Sequence, residues 1–369
     1  MRNPLPVAKP FIGREEEAAV AAVLRSRWLT QGKRVAEFEE RFGAWVGARH
    51  AVAVSSGTTA LHLALVALGI GPGDEVICPS LSFIATANAI RHAGAEPVFV
   101  DIDARTYNID PARIEKAVTR RTRAIMPVHQ IGLAADLDPI VAIARRRRLK
   151  VVEDAACSAG AQYRGAMIGR PHGDVACFSF HPRKVLTTAE GGLITTADAK
   201  LAGRLRRLRQ HAMSASDTAR HSAKTVVFET FDEVGYNYRM SDVHAAIGLV
   251  QLGRMPAMLK RRRALAARYT AGLAGSKVVP PHEPPECVHT YQSYAVRVPR
   301  AKRDGLMRKL LAQGIATRRV QCIHREKPYR SKVRLPETES AADSLMVLPL
   351  FHEMTERDVD RVVRAAISH

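Results

Sequence analysis

Between residues 51 and 180 short apolar runs alternate with stretches of helix length. The runs fall at 51–55, 75–78, 97–100, 124–128, 151–153 and 176–180, and helical periodicity fills 60–68, 83–93, 111–118 and 136–147. Strands joined by helix-length crossovers must lie parallel, and a parallel sheet needs both faces covered. The expected fold class is therefore α/β, a mostly parallel central sheet covered by helices. The last third reads differently. Residues 242–271 predict one or two long helices with Pro256 as a kink or break. A proline-rich stretch at 280–285 follows, then strand-like sequence at 291–298 and helices at 302–313 and 355–367. This organisation predicts a large domain over 1–250 and a smaller C-terminal α+β domain over 251–369, with the N-terminal segment free to pack on the small one.

Hydrophobic residues make up 46% of the 369-residue chain, enough for a full core. The charge balance is lopsided, with 56 Lys and Arg against 36 Asp and Glu, a formal +20. Such an excess raises the question of a polyanionic partner. The basic runs at 145–148, 204–209 and 260–263 sit on predicted helices and read as solvated faces, without the interleaved aromatics that stack on bases. The expectation is no nucleic-acid partner. No apolar run reaches membrane-spanning length, and the first ten residues hold no apolar core of signal-peptide length. Cys78, Cys157, Cys177, Cys287 and Cys322 are scattered, with no Cys-x-x-Cys pair, so neither a metal site nor a disulfide framework is expected. The reading is a cytoplasmic protein without a membrane partner.

Three segments at strand ends carry chemistry. Ser56-Gly57-Thr58-Thr59 lies where a strand gives way to a helix. Free amides at a helix start, with glycine allowing close approach, suit a phosphate, and simple capping explains the same residues. Glu153-Asp154 ends a buried strand at the carboxyl edge, where open α/β sheets bind ligands. A carboxylate there fits a protonated ring nitrogen, or a structural ion pair or helix cap. Lys184 follows the run Phe178-Ser179-Phe180 in a polar turn, as either a surface lysine or a Schiff-base amine. A phosphate cradle, a carboxylate and an amine are together the partners that pyridoxal phosphate requires.

With Trp28-Leu29-Thr30-Gln31-Gly32, Gly71-Pro72-Gly73-Asp74, Glu190-Gly191-Gly192 and Gly235-Tyr236-Asn237-Tyr238-Arg239 added, the chain resembles the DegT/DnrJ/EryC1/StrS sugar aminotransferases over nearly its whole length. The resemblance implies a fold type I transferase using pyridoxal 5′-phosphate. It implies Lys184 as the catalytic lysine that binds the cofactor, and Asp154 as the partner of the ring nitrogen. Gly57, Thr58, Thr59 and Ser179 would hold the phosphate. Phe83 would stack on the ring, and Asn237 would reach the phosphate of a neighbouring subunit in a homodimer. Cys157 stands where relatives commonly carry Gln or His against the cofactor. Trp28, Thr30, Arg318 and His324 fall in regions that line the substrate side, and His324 reads equally as a packing histidine. The implied reaction moves an amino group from an amino acid, by analogy glutamate, to a keto sugar on a nucleoside diphosphate. The Lys184–Gly192 stretch looks closest to perosamine-synthase-like members, which aminate a 4-keto-6-deoxy sugar. Alternatives are a cyclitol aminotransferase, a dehydratase of the same fold, in which His replaces the lysine, and a non-catalytic regulatory or nucleic-acid-binding relative.

Overall fold

The computed structural model describes residues 4–215, 220 and 223–368. Nine strands precede the long helix of the last third: β1 (His50–Val54), β2 (Glu75–Pro79), β3 (Glu96–Val100), β4 (Thr122–Ile125), β5 (Lys150–Asp154), β6 (Gln162–Tyr163), β7 (Ala166–Met167), β8 (Val175–Ser179) and β9 (Gly192–Thr196). Seven of them form one sheet in the order β1-β9-β8-β5-β4-β2-β3. Six run the same way and β9 alone is antiparallel to its neighbours β1 and β8. The mostly parallel sheet is as expected. The antiparallel β9 went unseen in the sequence, because its run Gly-Leu-Ile-Thr-Thr follows β8 without an intervening helix.

Helices α1 (Arg14–Ser26), α2 (Lys33–Val46), α3 (Gly57–Ala67), α4 (Ala85–His92), α5 (Pro111–Ala117), α6 (Leu137–Arg147) and α7 (Ala199–Leu208) accompany the sheet. Strand side chains alternate between its two faces. Val52, Val54, Val175, Cys177 and Ile194 join α3, α4 and α7 in one core. Ala51, Ala53, Ala176, Phe178 and Leu193 join α2 in another. Burial on both faces explains why these strands read as continuous apolar runs.

The long helix α8 (Asp242–Leu273) runs without a break through Pro256, so the region is one long helix and the alternative of a break there is corrected. Proline inside a helix costs about 3 kcal/mol. Packing along the whole helix outweighs that cost. Leu252, Met255, Met258 and Leu259 lie in the sheet-facing core, and Leu265, Ala266, Tyr269 and Leu273 in a second one. That second core encloses a small antiparallel sheet, β11 (Tyr294–Arg297), β13 (Leu345–Leu348) and β12 (Arg318–Arg319), after β10 (Cys287–Val288) has paired with β6. Helices α9 (Arg300–Ala312) and α11 (Glu356–Ile367) cover it, while α10 (Pro336–Ser344) packs on α9. Leu5 joins the same core, its N–H donating to Gly314 O (2.8 Å) and its carbonyl accepting from Ala316 N (2.9 Å). Position 250 lies inside α8, so one core gives way to the next along a continuous helix.

The basic runs divide. Arg146 and Arg147 are exposed and share Glu115, as a solvated face should. Arg209 and Arg262 are buried, against the expectation for their runs. Arg209 pairs with Glu39 and donates to Ala53 O (2.6 Å). Arg262 has no carboxylate partner among the described residues. It donates to the carbonyls of Tyr291 (2.6 Å), Gln292 (2.9 Å) and Leu350 (2.7 Å), and burial pulls its guanidinium down to about 10. Arg262→Met should destabilise the protein by about 3 kcal/mol or more, because buried carbonyls lose a charged donor. Urea unfolding measures this.

A second buried polar pair lies beneath β5. His129 Nε2 donates to Glu153 Oε2 (3.1 Å), while His129 Nδ1 accepts from Ala135 N (3.0 Å), which fixes the ring as the neutral Nε2–H tautomer. Glu153 Oε1 accepts from the amides of His172 and Gly173, both at 3.1 Å. Burial pushes the Glu153 carboxyl up, but the His129 hydrogen bond and these amides hold it below its ordinary value. A depressed carboxylate stabilises the fold above its unfolded pKa, and that contribution is lost as pH falls through the folded pKa. Stability should therefore decline from about pH 4 downward. Glu153→Gln should flatten that part of the curve while lowering stability at neutral pH, as read by chemical denaturation across pH.

Candidate active site

Parallel strands place their carboxyl ends along one edge, and the candidate residues follow from those ends. After β1, Ser56 caps α3: its Oγ accepts from Thr59 N (3.1 Å). Thr59 Oγ1 accepts from Ser56 N (2.9 Å) and donates to Ser56 O (2.8 Å). The Thr59 hydroxyl is thus engaged inside the cap. The amides of Gly57 and Thr58 have no intrahelical acceptor by helix geometry. Gly57 lies against the end of β8, where a Cβ would come 2.6 Å from Ser179 Cβ. Gly192 is tighter still, since a Cβ there would meet Ser56 O at 2.2 Å. Glycine at both places lets the start of α3 close onto the ends of β8 and β9, with Ser179 beside its free amides.

Asp154 ends β5, nearly buried. Thr86 Oγ1 donates to its Oδ2 (2.9 Å) and Ala156 N to its Oδ1 (3.2 Å). Ser82 in turn lies 2.8 Å from Thr86, oxygen to oxygen. Burial raises the Asp154 carboxyl above its ordinary value, and the hydrogen bonds from Thr86 and Ala156 and the charge of Lys184 offset it only in part. Its neighbour Glu153, with a full set of donors, is shifted the other way. Asp154 is therefore a buried carboxyl whose charged form is only partly compensated. Thr86 was missed in the sequence; its position at the start of α4, just beyond β2, was the available signal.

Beyond β8 the chain loops through 180–191 and returns as β9, closed by Phe180 N donating to Gly191 O (2.8 Å) and Thr188 N to Phe180 O (3.0 Å). Lys184 projects from this loop, and its Nζ donates to Cys157 Sγ (3.2 Å). Cys157 lies in the turn after β5, so lysine, cysteine and Asp154 belong to one cluster.

The other expected residues divide into three groups. Phe83 follows Ser82 and is 59% exposed, its ring open beside the Asp154 network. Arg318 stands in β12; partial cover of its guanidinium, then the charge of Arg183, lower its pKa, and Cys157 acts on it in the opposite sense. These two flank the cluster. Trp28, Thr30 and Asn237 are the second group, linked through Gln31, whose carbonyl accepts from Trp28 Nε1 (3.3 Å). Asp242 accepts from the amides of Gly32 (2.9 Å), Arg34 (3.2 Å) and Val35 (3.0 Å), supplying the cap that α2 lacks at Gly32. Its own N–H donates to Leu29 O and Thr30 O. Gln31 then donates to Gln210 (3.3 Å), whose backbone bridges Asn237. Asn237 is exposed, and among the described residues no hydrogen bond joins its side chain to the Lys184 cluster. His324 stands apart as the third case. It is 3% exposed, with Nδ1 2.8 Å from Ser80 Oγ and Nε2 3.5 Å from Glu339 Oε1. Both ring nitrogens thus have polar neighbours, as the packing reading of this histidine requires.

Pyridoxal phosphate fits this constellation. The glycine-lined start of α3 and Ser179 match its phosphate, a protonated ring nitrogen would complete the compensation of Asp154, and Lys184 offers an amine. The comparisons with known proteins agree. A family model described as the DegT/DnrJ/EryC1/StrS aminotransferase family matches residues 10–366. The chain is 36% identical to DesV of S. venezuelae, solved in complex with a ketimine intermediate, with a TM-score of 0.90 and 98% of each chain covered. It is 33% identical to DesI, solved in the presence of its TDP-sugar product, with a TM-score of 0.90 over 99% of this chain and 92% of that one. It is 29% identical to the sugar aminotransferase Spr1654 of Streptococcus pneumoniae in its PMP form, with a TM-score of 0.93 over 99% and 98% of the two chains. The chain belongs to the DegT/DnrJ/EryC1/StrS aminotransferase family, whose members are pyridoxal-phosphate-dependent transaminases with the fold type I architecture described above.

Proposed function

We propose that this transaminase moves an amino group from glutamate to a keto sugar carried on a nucleoside diphosphate, a 4-keto-6-deoxy sugar in particular, for amino-sugar biosynthesis. The observation that carries the reading is the convergence of Lys184, Cys157 and the buried, partly compensated Asp154 beside the start of α3. When bound, pyridoxal phosphate supplies the carbonyl carbon and electron sink through which an amino group passes. The Gly57 and Thr58 amides and the Ser179 hydroxyl bind its phosphate. The Asp154 carboxylate, steadied by Thr86, keeps a proton on the ring nitrogen. Phe83 covers a ring face and excludes water from it. Lys184 Nζ would hold the cofactor, and as a free amine it would carry a proton to and from the substrate carbon. Cys157 Sγ gives the free amine a resting contact.

The substrate class is supported by the TDP-sugar product of DesI and by Arg318 and Arg183, two cations at the edge of the cluster suited to a diphosphate. Among the described residues neither has a carboxylate partner. A homodimer is supported by the exposed apolar side chains of Val226, Phe228, Phe231 and Val234, which lead directly to Asn237. Covering such a patch with a second copy would bring Asn237 to the partner's site. Five free cysteines suit a reducing cytoplasm. Among the described residues no helix is long and apolar enough to cross a membrane.

The test is to load the protein with pyridoxal phosphate, record its visible band, and add glutamate alone and then each of a panel of nucleotide-linked keto sugars. Glutamate should bleach the band and a 4-keto-6-deoxy sugar nucleotide should restore it; a band restored only by a cyclitol ketone would reject the sugar reading. Lys184→Ala should abolish the lysine-bound band and cut turnover by roughly 10³-fold or more, while thermal melting of the cofactor-free protein stays near wild type.

A further inference from the structure

The segment His289–Gln292, between β10 and β11, reaches the active edge and is buried at His289, Thr290 and Gln292. Its polar atoms contact three of the loops that follow the sheet strands. Thr290 N donates to Gly132 O (3.0 Å), beyond β4. Thr290 Oγ1 lies 3.2 Å from Cys157 O and 3.3 Å from Gly132 O. The approach at Gly132 leaves no space for a Cβ, which would stand 2.1 Å from Thr290 Oγ1. Gln292 takes the third loop. Its Nε2 donates to Arg183 O (2.6 Å) and its Oε1 accepts from Val185 N (2.8 Å). These are the residues on either side of Lys184.

Gln292 is itself held rigidly. Its N–H donates to Thr290 Oγ1 (3.2 Å), and Arg262 of α8 donates to its carbonyl and to that of Tyr291. Tyr291 adopts φ of 50°, a left-handed backbone that a tyrosine takes only under constraint. Both polar atoms of the Gln292 amide are engaged, and both partners flank one residue. The other main-chain hydrogen bonds of the 180–191 loop come from the loop itself, whereas this pair comes from outside it.

We propose that Thr290 and Gln292 are positioning residues for the Lys184 amine. One rigid segment fixes the main chain around Lys184 and the carbonyl of Cys157 together, and so sets where the amine stands relative to Cys157 and Asp154. The inference rests on Lys184 being the cofactor lysine. Reactive groups are sensitive to placement, and a displacement of about 1 Å can cost 10²-fold in rate.

The experiment uses the cofactor-loaded protein and two near-isosteric substitutions, Gln292→Met and Thr290→Val. The first removes both bonds to the Lys184 loop, and the second removes the hydroxyl that ties Cys157 and Gly132. The lysine-bound visible band should persist in both, with its spectroscopic pH midpoint moved by about half a unit or more. In Gln292→Met kcat should fall roughly ten- to a hundredfold while KM for the amino donor changes by less than about threefold. A smaller fall of the same kind is expected in Thr290→Val, which decides the matter if Gln292→Met does not fold. A lower melting temperature with unchanged band, midpoint and kcat would overturn the proposal and leave these residues purely structural. A wild-type protein without a lysine-bound band would instead overturn the assignment of Lys184.

Discussion

Six strands pointing the same way is the constraint from which the rest follows. In a parallel sheet every carboxyl end emerges at one edge, and the crossover helices start there with unpaired amides. The residues after β1, β2, β5 and β8 are Ser55-Ser56-Gly57, Ser80 to Phe83, Ala155 to Cys157, and Phe180 to Lys184. They are far apart in sequence and adjacent in space because the strand order interleaves early and late segments. No loop has to be long to bring a phosphate cradle, a carboxylate and an amine together.

Within that edge two adjacent carboxylates are given opposite characters by their donors. Glu153 faces inward, takes His129 and two amides, and is settled as an anion that holds the fold. Asp154 faces the site with one hydroxyl and one amide, and its carboxyl is left raised. The difference follows from strand alternation, which turns consecutive side chains to opposite faces of the sheet. A residue that completes the fold and a residue that waits for a ligand therefore stand side by side.

Much of this was legible in the sequence. The alternation of apolar runs and helix-length segments specified the sheet, because parallel strands buried on both faces leave an unbroken apolar signature. The motifs at the strand ends pointed to Lys184, Asp154, Gly57 and Ser179, which the structure places along one edge of the sheet. What escaped the sequence depends on distant pairing. Glycines at 132 and 192 have meaning only against Thr290 and Ser56, and Arg262 looks like its solvated neighbours until the carbonyls it serves are placed around it. Pro256 produces no break because local propensity is outweighed by two cores along one helix. For His324 too the partners are distant in sequence, its ring standing against Ser80 and Glu339.

The single reversed strand has a mechanical consequence. Because β9 returns beside β8, the 180–191 loop leaves and rejoins the sheet at neighbouring residues, with Ser179 paired to Gly192. The loop is a closed ring of chain seated on a fixed base. The root of Lys184 is then stationary, and the travel its amine needs between one atom and another comes from rotation about its four methylenes. Any swing of that arm is thus a side-chain rotation about a root held at both ends by paired strands.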